Sequence, residues 1–364
     1  MKKILFLAFL VILINSAYAQ ITNCTQVLRL AQSTYEQGRL HELPTLMDDC
    51  LKKTEAQGGF TKQQRVDAYR YLTLAYIYLE EPEKADESML NLLRTDHYFE
   101  PNPNVDPAEF LGLYHTFRTT PVFSFGIKGG VNGNFPLLSK NYYVSNASEG
   151  KGKYGAKVAY QAGLVFEKNF FEQSKNKTLK KLTFAPELIY TIRSMSYNNS
   201  SAFVTDSLGT SAAAITVALK QTWLDLNLIF QYKLKDKGFN PYIGFGPGFG
   251  YLLNASNVLT FTRASSVGTV SGPAVPAKST YTKLVTSLMA VAGIKYQFGS
   301  VRVLVEARLQ YGLTNIANQK SRSNPQQVFD YNYLPGDLKQ FSGMLNIGVV
   351  FPYFNPVKKK LHKK

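Results

Sequence analysis

The stretch Val301–Leu313, VRVLVEARLQYGL, alternates strictly between two kinds of side chain. One face is entirely apolar and comprises Val301, Val303, Val305, Ala307, Leu309, Tyr311 and Leu313. The other face carries Arg302, Glu306 and Arg308. Period-two alternation predicts a β-strand with one apolar and one polar face. In a soluble barrel or sandwich the apolar face forms the core, whereas in an outer-membrane barrel it contacts lipid and the charged face fills the lumen.

Seven further segments after residue 121 show the same alternation, which predicts eight strands in all. They are about Val122–Asn132, Val158–Lys168, Leu182–Ser194, Ile215–Leu234, Pro241–Leu253, Leu284–Phe298 and Phe341–Tyr353. Short connections follow the second, fourth and sixth strands, and long polar ones follow the others. This pattern is typical of an up-and-down membrane barrel with short periplasmic turns and long extracellular loops. The alternative is a soluble, lipocalin-like barrel.

Two local features refine the barrel hypothesis. Aromatic residues at strand ends are typical of the girdles at headgroup level, and they include Tyr160, Tyr232, Tyr296, Phe298, Phe341 and Tyr353. Pro186 and Pro247 lie within strands, where each removes a hydrogen-bond donor, so we expect bulges there.

The first 120 residues have a different character. Lys2, Lys3, the apolar run Ile4–Ile14 and Ala17-Tyr18-Ala19 predict a signal peptide over residues 1–19. Residues 20–120 show helical spacing, with a capping box at Thr61–Gln64 and a start signal at Asp106–Glu109 in which Asp106 is the N-cap. The predicted fold class is therefore α+β multidomain. A periplasmic helical domain (20–120) precedes an eight-stranded transmembrane barrel (121–354) and a basic periplasmic tail (355–364).

The two cysteines, Cys24 and Cys50, fall at the ends that meet in an antiparallel helical hairpin, and export permits a disulfide between them. A metal site is the weaker interpretation, because no histidine or further cysteine sits at ligand spacing. A free, buried pair is the third. We expect no cofactor and no metal.

The inward positions of the barrel predict an ion-pair network, because an eight-stranded lumen is only wide enough for its own side chains and unpaired charges there are costly. The residues are Lys128, Glu167, Glu187, Arg193, Asp225, Lys233, Lys295, Arg302, Glu306 and Arg308. Glu187 with Glu306 as a general acid–base pair is the catalytic alternative. All four histidines lie outside the barrel, which removes the usual partner of a barrel hydrolase, so we expect no enzyme.

Two family resemblances follow from particular residues. Tyr69, Leu72, Tyr76, Ala85, Met89 and Leu92 sit at the characteristic positions of tetratricopeptide (TPR) repeats, so the helical region is TPR-like, with a generic helical hairpin domain as the alternative. With its barrel, the chain resembles the Bacteroidota outer-membrane β-barrel proteins (PorT-like, OmpA-type) over about Val122–Phe354. The runs LTLAYIYLEEPEKAD (72–86), DPAEF (106–110) and FRTTP (117–121) resemble a helical module found ahead of such barrels. The resemblance implies a structural, secretion-associated or interaction role and supplies no catalytic residues.

Three function classes stay open at this stage. The first is a non-enzymatic barrel that anchors periplasmic helices, which bind an envelope protein near Tyr69, Arg70 or Tyr76. The second is a small channel or uptake protein, and the third is an adhesin or glycan-binding barrel. The third would use the loop residues Tyr142, Tyr143, Phe261, Arg263, Lys320 and Arg322. The net charge of +16 suits lipid headgroups and lipopolysaccharide, and export argues against nucleic acid.

Overall fold

A computed structural model describes residues 24–142, 152–172, 174–200, 213–235, 238–263, 269–331 and 333–359. The chain divides into two compact units. One comprises the residues up to Pro121 together with those from Phe354 onward, and the other runs from Val122 to Tyr353. The predicted signal peptide, the loop residue Tyr143 and residues 360–364 of the tail lie outside the described residues.

The first unit consists of helical hairpins. Its helices are α1 (24–36), α2 (Leu43–Lys52), α3 (Lys62–Tyr78), α4 (Pro82–Thr95) and α5 (Ala108–Thr116), with 3-10 turns at Leu40–Glu42 and Glu55–Gln57. The capping box at the start of α3 is present, with Thr61 and Gln64 each accepting from the other's backbone. The fully buried Met47, Met89 and Phe110 mark the cores between the helices. Among the described helices, none is long and apolar enough to span a membrane.

Two contacts fix the chain around these helices. Cys24 and Cys50 form a disulfide between α1 and α2, with their Cα atoms 5.8 Å apart. Asp106 is not the N-cap of α5, as the sequence predicted, because Pro107 takes that position. The Asp106 carboxylate instead accepts from Arg70 (2.6 Å) and from the Asn102 backbone N–H (2.7 Å). The charge that the sequence assigned to the helix end therefore holds the preceding turn onto α3.

The second unit is a closed antiparallel barrel. Its strands are β1 (Phe123–Lys140), β2 (Lys153–Glu167), β3 (Leu182–Asn199), β4 (Ala213–Lys233), β5 (Phe239–Arg263), β6 (Thr269–Pro276), β7 (Leu284–Phe298), β8 (Val301–Gly312) and β9 (Asp337–Tyr353). Short helices α6 (Lys177–Lys180) and α7 (Pro325–Tyr331) and a 3-10 turn (Lys278–Thr280) lie in the connections. Eight strands close the barrel through the β1–β9 pairing, and β6 pairs with β5 alone. The predicted eight-stranded barrel is confirmed, with β6 as an addition in the loop between its fifth and sixth strands.

The direction of the side chains is the feature that the sequence left open. On β8, Val305 and Leu309 are 57% and 54% exposed, whereas Glu306 and Arg308 are 2% and 3% exposed. The apolar face therefore points outward and the charged face points into the barrel. A lipocalin-like barrel would have the opposite arrangement, so this alternative is wrong.

The outward apolar band covers only part of each long strand. We call the end where β1 begins and β9 ends the terminal end, and the opposite end the distal end. Along β3, outward Leu188, Tyr190 and Ile192 give way to Ser194 and Ser196 toward the distal end. On β4 and β5 the outward face likewise becomes polar beyond Leu224 and Leu253, respectively.

The inward face changes in the opposite sense at the same level. Beyond Arg193 and Trp223 the interior becomes an apolar core, which comprises Met195, Tyr197, Ile215, Val217, Leu219, Trp223, Leu252, Ala255, Leu259, Val275, Ala277, Tyr281, Val285, Ile316, Tyr333 and Leu338. A strand needs about 9–11 residues to span a bilayer, whereas β4 has 21 and β5 has 25. We call this part beyond Arg193, Trp223 and Leu253 the distal extension. It has the polarity of a water-soluble sheet: an apolar interior and a polar exterior.

Bulges occur at other places than the prolines. Pro186 pairs with Leu228, and Pro247 pairs with Leu288, without a shift of register in either ladder. The β4–β5 register shifts instead between Thr222 and Trp223, where the polarity of the two faces is exchanged. The prediction of bulges at the prolines is therefore wrong. The extra residue is Leu253 of β5, which lies at the boundary of the distal extension.

The two halves of β4 make a matched test of the outward band. We expect Leu226→Arg, in the band, to destabilise the barrel by about 2–4 kcal/mol in lipid, because the charge would face hydrocarbon. Thr216→Arg, on the same outward face of the distal extension, should change stability by less than about 0.5 kcal/mol. Urea unfolding in phosphatidylcholine vesicles measures both. Equal losses would contradict a band that ends between these positions.

Candidate functional site

Eight of the ten charged residues predicted to face the lumen form ion pairs inside the barrel. At the centre, Arg308 holds two carboxylates. Its Nη1 and Nη2 donate to the two oxygens of Glu187, each at 2.6 Å, and its Nε donates to Glu306 Oε1 at 2.7 Å. Lys128 also pairs with both acids, at 3.0 Å from Glu306 Oε1. Two cations therefore neutralise two anions, and all four side chains are at most 2% exposed.

This cluster connects strands that are not neighbours in the sheet. Lys128 comes from β1, Glu187 from β3, and Glu306 and Arg308 from β8. In the closed order β3 and β8 are four strands apart, on opposite walls of the barrel. Tyr242 of β5 adds a hydrogen bond of 2.7 Å to Glu306 Oε2. The central cluster therefore braces the barrel across its interior.

Two smaller pairs lie on either side of the centre. Lys295 contacts Glu167 Oε1 at 2.6 Å and Gln231 Oε1 at 2.7 Å. Toward the distal end, Arg193 donates to both Asp225 oxygens at 2.8 Å and to Gln340 at 2.9 Å. Its guanidinium lies 4.8 Å from the ring of Trp223. Arg193 therefore marks the boundary between the charged lumen and the apolar core of the distal extension.

Glycines make room for these side chains. A Cβ atom built on Gly293 would lie 2.7 Å from the Tyr242 ring, and one on Gly250 would lie 2.6 Å from Asp225 Oδ1. The cavity beside the central cluster measures about 10 Å³, which is room for about one water molecule. Inward-facing glycines such as Gly250 on β5 and Gly293 on β7 therefore leave room for bulky polar groups from the neighbouring strands.

The other two predicted lumen charges lie at the terminal end of the barrel. Lys233 is half-buried at the terminal end of β4, and Arg302 donates Nε to Gln297 Oε1 at 3.1 Å. Four neutral residues that were not predicted also belong to the ion-pair clusters, namely Tyr242, Gln231, Gln340 and Asn346. The period-two alternation places them on the inward face, but their contacts arise only when the sheet closes.

The chemistry open to the central cluster is restricted. Glu187 and Glu306 each face Lys128 and Arg308, and both are enclosed by the barrel wall. General acid–base work needs a carboxyl group that can reach a substrate and change its protonation state. Within the described ranges, no group of three or more His, Cys, Asp or Glu residues is placed to hold a metal ion. The cluster is suited to filling and bracing the lumen.

A second candidate site lies on the helical unit. A groove of about 400 Å³ is formed by the end of α3, the start of α4, and α5. Its floor includes Tyr76, Ile77, Ala85 and Leu113, and its rim carries Glu80, Glu81, Asp86 and Glu109. Lys358 pairs with Asp86, and Lys84 pairs with Glu81. Four acids face two lysines, so this groove is acidic in a protein of net charge +16.

The three residues predicted to bind a partner have different surroundings. Tyr76 lines the groove, and burial together with the nearby Glu81 and Glu87 carboxylates raises the pKa of its hydroxyl. Tyr69 packs against both helical cores, and Arg70 is held by Asp106. The structure thus brings Tyr76 alone of the three to the groove.

Two of the basic and aromatic loop residues, Tyr142 and Arg322, contact the same carboxylate. Arg322 pairs with Asp337 at 2.5 Å, and Tyr142 donates to the other Asp337 oxygen at 3.0 Å. Burial alone would raise the pKa of Asp337, but hydrogen bonds from Arg322, Asn315 and Tyr142 hold it below its usual value. Tyr142 and Arg322, which the sequence offered as glycan ligands, therefore fasten the start of β9.

Arg308 and Arg302 offer a matched test of the filled lumen, since the sequence analysis treated them alike. We expect Arg308→Ala to lower the free energy of unfolding by about 3–5 kcal/mol, because it leaves buried carboxylates without their partner. Arg302→Ala should cost about 1 kcal/mol, the value of an ordinary hydrogen bond. Unfolding in detergent micelles measures both values. Equal losses for the two variants would contradict the bracing role of Arg308.

A filled lumen should also block ions. Planar-bilayer recordings of the wild type should show no steady current, and a large current would contradict the filled lumen.

Comparison with known proteins gives low-identity structural relatives. OprG from Pseudomonas aeruginosa is 14% identical with a TM-score of 0.29, and the alignment covers 64% of this chain and 98% of OprG. Neisserial surface protein A is 12% identical with a TM-score of 0.29, covering 63% of this chain and 97% of that protein. The outer membrane protease OmpT from Escherichia coli is 10% identical with a TM-score of 0.27, covering 64% and 96%. No curated protein shows significant similarity to the chain.

A family match carries the assignment. Residues 120–318 match the outer membrane protein beta-barrel domain. This segment begins just before β1 and includes β1, β3 and β8, which supply all four residues of the central cluster. Because the match spans more than half of the 364 residues, the chain belongs to the family of outer membrane beta-barrel proteins.

Proposed function

We propose that this protein is a non-enzymatic outer-membrane barrel that anchors a periplasmic, TPR-like helical domain, and that this domain binds another envelope protein. The filled lumen is the observation that carries the proposal. The central cluster of Lys128, Glu187, Glu306 and Arg308 fills the lumen and connects opposite walls of the barrel. It leaves little space for a solute to pass. The role of the protein then falls to its surfaces, of which the acidic groove is the most developed.

The loop lengths support the orientation. The turns at the terminal end join β2 to β3, β4 to β5 and β7 to β8, and the last of these is only Gly299-Ser300. The β4–β5 connection has five residues (234–238), whereas the β2–β3 connection, with its short helix α6, has 14 (168–181). The distal end carries the two longest connections, 264–283 and 313–336, and the distal extension. Bacterial barrels keep short turns on the periplasmic side and long loops outside. The terminal end, where the helical domain joins the barrel, is therefore assigned to the periplasm.

The groove favours a partner segment with both basic and apolar side chains. The floor residues Tyr76, Ile77 and Leu113 would bury apolar side chains, and Glu80 and Glu109 on the rim would face cations. Apolar grooves between helices recognise peptides through a few buried anchors. A charged rim adds association rate and discrimination between partners. We propose no catalytic residue: Glu187 and Glu306, the acid–base alternative, are each paired with Lys128 and Arg308.

The two alternatives have less support. A channel requires an open lumen, whereas large side chains and ion pairs occupy this one. An adhesin acting through Tyr142 and Arg322 would have to break their contacts with Asp337. Neither alternative accounts for the acidic groove.

Orientation is tested with single cysteines, since the native pair is bonded and leaves no free thiol. Ser323 is exposed near the distal end, and Ser300 is exposed in the β7–β8 turn. Each is replaced by cysteine in a separate variant, Ser323→Cys or Ser300→Cys. A membrane-impermeant maleimide on intact cells should label the first and spare the second. Permeabilised cells, in which both must react, are the control. The reverse pattern in intact cells would overturn the periplasmic assignment.

Partner binding is tested by photo-crosslinking in cells. Gly112 lines the groove, and an added Cβ there would meet nothing within 4 Å, so a photoreactive residue fits. We expect a protein adduct from position 112 and none from position 26, an exposed site on α1. Glu109→Lys should weaken the adduct at least severalfold by removing charge complementarity, whereas Glu55→Lys, also exposed, should not.

The partner is identified by mass spectrometry of the adduct. Adducts that contain only this chain's own strands would favour a helical cap over a partner-binding domain. Equal adducts from positions 112 and 26 would show non-specific capture and contradict the groove as the site.

A further inference from the structure

The turn between β2 and β3 carries an apolar pocket on the outer surface of the barrel. Phe170, Phe171, Leu182, Phe184 and Phe230 line a space of about 290 Å³. Phe170 is 61% exposed. Phe184 and Phe230 are neighbours on β3 and β4, with ring centroids 5.1 Å apart and ring planes tilted by 41°. These rings belong to the outward band, so the pocket opens toward the lipid at its terminal edge.

The pocket has a defined backbone frame. Lys168 and Phe184 exchange two backbone hydrogen bonds of 2.9 Å, which tie the start of the turn to β3. The Asn169 side chain donates to the Lys180 carbonyl and accepts from the Phe171 N–H at 2.8 Å. The aromatic wall is therefore held beside the strand ends.

The same turn is strongly basic. Between residues 168 and 181 the sequence has five lysines and one acid, Glu172. The lysines are Lys168, Lys175, Lys177, Lys180 and Lys181. Lys168 Nζ lies 5.0 Å from the Phe170 ring centroid, and Lys180 is exposed. By contrast, the β7–β8 turn at the same end is Gly299-Ser300 and has no charge.

We propose that this pocket and its lysines bind an anionic phospholipid. The aromatic pocket would take part of an acyl chain, and Lys168, Lys180 and Lys181 would face the headgroup phosphate. A ligand for this site must be apolar at one end and anionic at the other, and it must lie at headgroup level. The choice of the phospholipid leaflet rests on the proposed periplasmic orientation of the terminal end. Lipids contact the whole outward band, but this one turn combines an apolar pocket, several lysines and a position at the terminal edge of the band. It is therefore a specific lipid site.

The experiment uses the full-length protein purified in neutral detergent micelles. Phosphatidylglycerol, phosphatidylethanolamine and lipid A are titrated separately, and bound lipid is counted by native mass spectrometry. We expect one phosphatidylglycerol to be retained in preference to phosphatidylethanolamine. Each lysine near an anionic lipid is worth roughly fivefold in affinity, so Lys180→Gln/Lys181→Gln should weaken binding by roughly 20- to 30-fold.

Matched variants separate the pocket from overall charge. Lys153→Gln/Lys157→Gln removes the same charge from exposed positions at the distal end of β2 and should leave binding unchanged. Phe171→Ala should weaken binding while keeping every lysine, and a thermal unfolding curve checks that each variant is folded. Equal affinity in wild type and the Lys180→Gln/Lys181→Gln variant, or preference for lipid A over phosphatidylglycerol, would overturn the proposal.

Binding in micelles does not depend on orientation in the cell. If phosphatidylglycerol binds as expected while maleimide labelling gives the reverse topology, the site stands and the proposed orientation is wrong. If labelling agrees and lipid binding fails, only the lipid site is wrong.

Discussion

The pairing of Arg308 with Glu187 and Glu306 is the contact on which the barrel interior depends. A narrow lumen offers little water to solvate charge, so buried ions must find partners of opposite sign. Four cations and four anions meet this condition: Lys128, Arg193, Lys295 and Arg308 with Glu167, Glu187, Asp225 and Glu306. The clusters are neutral as a set, so the net charge of +16 lies outside them. The filled interior is thus neutral, and the excess of basic residues lies elsewhere in the chain.

The environment around each strand explains why polarity is exchanged between its two faces. Near the terminal end the outer face meets lipid, so it is apolar while the polar side chains turn inward. Beyond Arg193 and Trp223 the outer face is polar, and the apolar residues are packed inside as in a soluble sheet. On β4 the inward and outward positions alternate without interruption through this boundary, and only the kind of residue on each face changes. On β5 a bulge at Leu253, opposite the step from Thr222 to Trp223, shifts the alternation by one residue.

Period-two alternation was sufficient to predict the eight strands that close the barrel and most of their inward charges, but not β6. It could not predict direction, because Val305 outward and Glu306 inward have the same spacing as the reverse. Nor could it show that Tyr242 and Asn346 join the central cluster, since those contacts depend on closure of the sheet across strands distant in sequence. Asp106 shows the converse error: its local sequence fits an N-cap, but the long-range contact with Arg70 prevails. The groove at Gly112 and Leu113 was missed because it arises only when three helices are packed together.

The wide sequence separation of the central contacts constrains how the barrel is assembled. Glu187 and Arg308 are 121 residues apart, and Lys128 and Glu306 are 178 apart. Until β8 has been added, the growing sheet has a row of charged side chains on its concave face without their counter-ions. Moving such an incomplete sheet into hydrocarbon one strand at a time is unfavourable, because its unpaired charges would lose water. We therefore expect the inward face to stay hydrated until β8 and β9 have been added and β9 pairs with β1. The central ion pairs should accordingly form only when β8 and β9 have joined β1, so that the interior and the perimeter of the barrel are completed together.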